Sequence, residues 1–305
     1  MSWSLSGIPD LRGRTAIVTG ANAGLGLEIT AALAGRGARV VLACRSTARA
    51  DAAAHEVRRR CPDAVLEVRV LDLADLDSVA DFAAGLRSEH DRLDILVNNA
   101  GLMAIDEART AQGMEMQFGV NHLGHFALTV RLLPLLLATP GSRIGTMSSV
   151  AHRGARGLPA PAGERHYRRW PAYSHSKLAN LLFTAELHRR LTEAAAPTIA
   201  VAAHPGSSDT DLGTEGSGLF NLPMRRLFPL VTQSARAGAA PMLRAVTDPG
   251  VRGGEFYGPR FLTRGAPVRE TPSRAARDMR TARWLWDVSV ALTGLETDLE
   301  PAVTG

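Results

Sequence analysis

The sequence predicts an α/β fold: one domain over residues 1–305, built on a doubly wound sheet of about seven parallel strands with helices on both faces. Short β-branched runs alternate with alanine- and leucine-rich segments of helical length, the pattern of repeated βαβ units. No internal repeat or low-complexity linker interrupts that alternation. At 305 residues and 45% hydrophobic composition, the chain can bury a substantial core.

The expected first strand, 15–19, runs through Ala16-Ile17-Val18 into Thr19-Gly20-Ala21-Asn22-Ala23-Gly24-Leu25-Gly26 and a helix near 24–36. Glycines between a strand and a helix allow a tight turn and close approach of the backbone to a pyrophosphate, whose charge the helix N-terminus stabilises. Gly20, Asn22, Gly24, Leu25 and Gly26 are the expected cradle. The second strand, 39–43, leads to Cys44-Arg45, where dinucleotide-binding folds test the adenosine ribose. An acidic residue there would bond a 2′-hydroxyl; Arg45 can instead pair with a 2′-phosphate, which points to NADP. After a helix at 47–60, the third strand, 66–71, ends at Asp72-Leu73, placed to border the adenine.

A helix at 75–89 precedes the fourth strand, 93–97, and its polar turn Asn98-Asn99-Ala100-Gly101. Asn98, Ala100 and Gly101 are expected beside the cofactor crevice. Asn121 falls inside a long expected helix, 113–138, where a helix-disfavouring residue needs a reason; a kink around a structural water would supply one. The fifth strand, 142–147, ends at Ser148-Ser149, at the carboxyl edge where ligands gather in open α/β sheets, and a hydroxyl there can donate to a substrate carbonyl.

The next helix, 172–194, carries Tyr173 and Lys177 four positions apart, on one face. Lys177 is the only lysine among 35 basic residues, so something at this position refuses arginine. A free phenol titrates near about 10, and a nearby ammonium lowers that value by favouring the phenolate. The expectation is a proton donor and acceptor. Beyond a sixth strand at 198–203, residues 207–218 are rich in small and turn-forming types. Leu219, Phe220, Leu222, Met224, Leu227, Phe228 and Leu230 then suggest a short amphipathic helix, so 207–232 is expected to be a substrate lid. A helix at 233–247, a seventh strand at 254–257 and a tail helix near 273–292, packed on the same chain or on a partner subunit, complete the list.

These motifs, in this order, resemble the short-chain dehydrogenase/reductase family over roughly residues 12–260. The Ala-Cys-Arg segment, His152 and Ser176-Lys177-Leu178-Ala179-Asn180 are most similar to the branch of retinol dehydrogenases and WW-domain oxidoreductases, and more loosely to protochlorophyllide reductase. The resemblance implies a single Rossmann domain with Asn121, Ser149, Tyr173 and Lys177 as the catalytic set. It adds Pro205, Gly206 and Thr210 to the cofactor contacts and gives Tyr173 and Lys177 a second role there. The implied chemistry is hydride transfer between NADPH and a bulky, apolar carbonyl compound. Ser149 and Tyr173 would hold the carbonyl oxygen and Tyr173 would protonate it, while Lys177 joins a relay through a water on the Asn121 backbone. Two departures stand out: Ala23 stands where many NADP-using relatives place a basic residue, and Ser149 and Tyr173 are further apart than in the smallest family members, so that 153–170, with Trp170, are expected to form an extra wall or flap. An NADP-dependent epimerase or dehydratase, and a catalytically silent NADP-sensing or scaffold protein, are the rival readings.

Composition excludes several other classes. The formal charge of +5 comes from arginines spread along the chain, with Arg58-Arg59-Arg60 the longest run, so no nucleic-acid partner is expected. Cys44 and Cys61 make neither a disulfide framework nor a metal spacing, and no metal is expected. The N-terminus lacks a signal pattern, and the most apolar stretch contains Arg131 and Pro134. The expectation is a cytoplasmic enzyme without a membrane span, acting on a small molecule, with homo-oligomerisation left open.

Overall fold

The computed structural model describes residues 3–159, 166–206 and 233–295. The first half contains β1 (Thr15–Thr19), α1 (Gly24–Ala34), β2 (Arg39–Cys44), α2 (Thr47–Arg60), β3 (Leu66–Val70), α3 (Leu76–Glu89) and β4 (Ile95–Asn98). The second contains α4 (Met116–Leu137), then β5 (Arg143–Met147), α5 (Arg169–Glu193) and β6 (Ile199–Ala203). It closes with α6 (Ala235–Thr247), β7 (Phe256–Pro259), β8 (Pro267–Glu270) and α7 (Met279–Thr293). The expected lid at 207–232, with Thr210, lies outside the described residues.

The strands form one sheet in the order β3-β2-β1-β4-β5-β6-β7-β8. All pairs are parallel except β7 with β8. The antiparallel edge strand is new relative to the sequence reading, because Pro267-Val268-Arg269-Glu270 is too short and too polar to stand out. Alternation along the buried strands sorts side chains between two faces. Ala16, Val18, Val40 and Leu42 join the core under α1, α2 and α6, whereas Ile17, Val41 and Ala43 join the one under α3, α4 and α5.

Local chemistry explains most boundaries. Ser46 and Asp75 cap α2 and α3, accepting from the amides of Arg49 at 3.4 Å and Asp77 at 3.1 Å. The helix carrying Tyr173 begins at Arg169, before Pro171, since a proline in the first turn has no amide to lose. α4 is long and apolar enough to cross a membrane by length and composition, but 78% of that stretch is buried inside the fold. That is the packing of a core helix.

α7 packs on its own chain. Trp286 stacks on Phe183 of α5, with ring centroids 6.0 Å apart, and meets Phe126 of α4 edge-on at 5.1 Å. Arg190 covers the same indole at 4.5 Å. Each such pair contributes about 1 kcal/mol beyond burial, and together they seat the tail over the α4–α5 surface.

Candidate active site

A cleft of about 480 Å³ runs along the carboxyl ends of β1, β2, β3 and β4. Gly20, Asn22, Gly24, Leu25, Gly26, Arg45, Asp72, Leu73, Ala100, Gly101, Tyr173, Lys177 and Pro205 all line it. A Cβ on Gly26 would lie 2.1 Å from the carbonyl oxygen of Gly20, so only glycine lets the helix start this close to the turn. The thiol of Cys44 lies beneath, within hydrogen-bonding reach of the Ala21 and Asn22 amides, and burial pushes it up to about 11. A glycine cradle open at a helix N-terminus fits the diphosphate of a dinucleotide.

The turn after β4 is fastened by a residue outside the expected site. His125 Nδ1 donates to the Asn121 carbonyl at 3.0 Å, which leaves Nε2 to accept from the Thr19 hydroxyl at 2.9 Å. Thr19 Oγ1 can then accept from the amides of Asn99 and Ala100, both at 2.9 Å. Burial pushes His125 down to about 4, which keeps the imidazole in the neutral form this network needs. Asn98 corrects an expectation: as the last residue of β4 it points into the core, where its amide donates to Thr129 at 3.0 Å, and it does not line the cleft. Its neighbour Asn99 does.

Asn121 sits in a π-helical turn, Gly119–Leu123, inside α4. The irregularity is the expected one, but its cause is the side chain. Asn121 Oδ1 accepts from the Leu102 amide at 2.7 Å, and Nδ2 donates to the Leu102 carbonyl at 2.9 Å and to Ser176 at 2.8 Å. The residue therefore clamps the turn after β4 to α5, and its backbone oxygen, expected to hold a relay water, accepts from His125.

The two serines after β5 separate by role. Ser148 is buried and donates to the Lys177 carbonyl at 2.8 Å. Ser149 is half-buried, caps the following short helix through the Ala151 amide at 3.2 Å, and is hydrogen-bonded to Tyr173. Lys177 Nζ donates to the Met147 carbonyl at 3.3 Å and lies 5.8 Å from the centre of the Tyr173 ring.

The expected lowering of the Tyr173 phenol by Lys177 is corrected. Burial pushes the phenol above its ordinary value, and the Ser149 bond is what pulls the other way. Burial also pushes the lysine down to about 8. Spacing alone predicts attraction between two charges, but both groups are desolvated and each favours its neutral form. Ser149 and a protonated Tyr173 can donate together to one carbonyl oxygen.

At the opposite end, Arg45 and Arg49 both line the cleft, and neither pairs with a carboxylate among the described residues. A second cavity, of about 400 Å³, is lined by Phe118, Tyr167, Ala172, His175 and Trp284. Neither Tyr173 nor Lys177 lines it. Of the expected flap at 153–170, residues 160–165 lie outside the described residues; Tyr167 within it donates to the Ile105 carbonyl at 3.0 Å, while the buried Gln117 donates to Tyr167 Oη at 2.7 Å. Among the described residues, no group of three or more His, Cys, Asp or Glu is arranged to hold a metal.

Comparison with known proteins adds an independent line. The profile of the short chain dehydrogenase family matches residues 14–217. Retinol dehydrogenase 12 of Homo sapiens is 40% identical over 288 residues, covering 93% of this chain and 88% of that protein. Retinol dehydrogenase 14 of Mus musculus is 39% identical over 304 residues, covering 93% of this chain and 87% of that protein. Among solved structures, an uncharacterised protein from Mycobacterium paratuberculosis aligns with a TM-score of 0.82 at 41% identity, covering 98% of this chain and 100% of that one.

Proposed function

The chain belongs to the short-chain dehydrogenase family, in the branch of the retinol dehydrogenases, and as an oxidoreductase between carbonyl and alcohol we propose that it uses NADP(H) and acts on a bulky, apolar small molecule. One observation carries the reaction: Ser149, from the end of β5, is hydrogen-bonded to Tyr173 of α5, and Tyr173 and Lys177, one helical turn apart, line one end of the glycine-walled cleft. The cofactor choice is supported by Arg45 and Arg49 at the other end, two cations suited to a 2′-phosphate. The substrate class rests on the retinol dehydrogenases, whose named substrate is bulky and apolar.

A bound nicotinamide dinucleotide supplies the hydride donor or acceptor. Gly20 to Gly26 hold its diphosphate, and the turn at Ala100 and Gly101 with Pro205 borders the reacting end. In reduction, Ser149 orients the carbonyl oxygen and Tyr173 Oη gives it a proton as negative charge develops. The raised phenol suits this direction, because the group stays protonated at neutral pH. Lys177, one helical turn along, lines the cleft beside Tyr173, where its amine can donate a hydrogen bond to the bound nucleotide. Alcohol oxidation is the reverse. The free thiols Cys44 and Cys61 fit the reducing cytoplasm that this reading includes.

The test compares consumption of NADPH and NADH with a panel running from long-chain or polycyclic ketones and aldehydes to short hydroxylated ones. NADPH should be preferred by at least about tenfold, with the apolar compounds turned over best. A preference for NADH, or for the short polar compounds, would overturn the finer assignment.

A further inference from the structure

Behind the catalytic edge, a cluster that is buried at His204 and opens to solvent at Arg153 links three segments that the proposed reaction needs in register. Glu270, at the end of β8, has a side chain only 11% exposed. One oxygen accepts from His204 Nε2 at 3.1 Å and the other from Arg153 at 3.2 Å. His204 directly follows β6 and is 1% exposed. Its Nδ1 accepts the amide of Gly206 at 3.1 Å, so the ring proton resides on Nε2 and points at the carboxylate. Arg153 belongs to the short helix Val150–Gly154, which Ser149 caps.

His152 completes the assembly with the opposite tautomer. Its Nδ1 donates to the Ser149 carbonyl at 2.6 Å, and its Nε2 accepts from the Ser273 amide at 3.3 Å. Burial pushes His152 down to about 4, so it stays neutral. Phe256 lies between the two imidazoles, with ring centroids 5.6 Å from His152 and 5.3 Å from His204. A Cβ on Gly258 would fall 2.1 Å from His204 Nε2 and 2.2 Å from Glu270 Oε1. Glycine at that point in β7 is what lets carboxylate and imidazole meet. The hairpin also abuts the site from its tip, since a Cβ on Gly206 would lie 2.5 Å from the Thr263 carbonyl.

From this geometry we propose that Glu270 is a positioning residue: it ties the Gly206 amide, through His204, to the Ser149 segment, through Arg153, and so holds the carbonyl-orienting hydroxyl in register with the cofactor-bordering turn. The proposal rests on the oxidoreductase reading of Ser149, Tyr173 and Pro205-Gly206. Burial alone would push the Glu270 carboxyl up, but the hydrogen bond from His204 and the charge of Arg153 hold it below the usual carboxylate range. An ionised carboxylate can serve both donors at once. Nothing in the linear sequence marks Glu270, because its partners lie 66 and 117 positions away.

The experiment compares the parent with Glu270→Ala and Glu270→Gln. In the alanine variant, kcat for carbonyl reduction should fall at least about tenfold while KM for NADPH stays within about threefold, since the diphosphate cradle and Arg45 are untouched. The glutamine variant should recover kcat only in part, because its carbonyl oxygen still accepts from His204 Nε2 while its amide nitrogen cannot accept from Arg153. Hydrogen exchange in the nucleotide-free protein gives a readout independent of turnover: the Gly206 amide should exchange faster in Glu270→Ala than in the parent or Glu270→Gln. Unchanged exchange at Gly206 in Glu270→Ala overturns the proposal, as does a KM rise that accounts for the whole loss. A parent that turns over no carbonyl compound would instead sink the functional reading, while the exchange result would still decide whether Glu270 fixes the loop.

Discussion

Replacing Lys177 by methionine should raise the stability of the nucleotide-free protein at neutral pH while abolishing turnover. Burial pushes the ammonium from 10.5 down to about 8. At about 1.4 kcal/mol per unit, its charged form costs the folded state on the order of 3 kcal/mol. Methionine keeps most of the stem volume in an almost fully buried site. It removes the hydrogen bond to the Met147 carbonyl, which contributes about 1 kcal/mol, but that oxygen still accepts from Asn180 Nδ2 at 3.0 Å and is not orphaned. The net gain at pH 7 is therefore about 2 kcal/mol. The unfolded lysine keeps its proton up to 10.5, whereas the folded one releases it near 8. Between those values the unfolded state binds more protons, so the parent gains stability relative to the variant as pH rises, and the full penalty is present below about 8. Urea titrations of both proteins at neutral pH and near pH 10 measure this difference, and groups common to both cancel. A variant less stable than the parent at neutral pH, or a stability difference that does not shrink as pH rises, would refute the reasoning.

Tyr173→Phe should lower turnover by at least about a hundredfold while leaving NADPH affinity within about threefold, because only the transferable proton and the Ser149 bond are lost; nucleotide fluorescence titration beside initial rates checks both, and activity within about tenfold of the parent removes Tyr173 from its role. Arg45→Asp should weaken NADPH about a hundredfold and NADH by no more than about threefold, since it replaces a charge-assisted contact by repulsion. Equal losses for the two nucleotides would assign the 2′-phosphate to Arg49 instead.

The parts of the site that were legible in the sequence are those encoded over a few residues. The strand-turn-helix context of Gly20 to Gly26 and the four-residue spacing of Tyr173 and Lys177 are local, and the sheet places both groups along the same carboxyl edge. What the sequence hid is made across the sheet. Thr19 meets His125 over 106 positions and His204 meets Glu270 over 66, pairs that exist only because the sheet and the helices on it bring distant segments side by side. The difference between Ser148 and Ser149 was hidden for a related reason: only the end of β5 decides which hydroxyl turns back to Lys177 and which faces Tyr173. Tyr173 presents a deeper case, because sequence chemistry gave the wrong sign. A neighbouring ammonium lowers a phenol in water, but here desolvation pushes the phenol up against the Ser149 bond and also pushes the ammonium itself down. Spacing reveals which groups will meet, whereas burial, a property of the whole fold, decides the protonation state in which they do so.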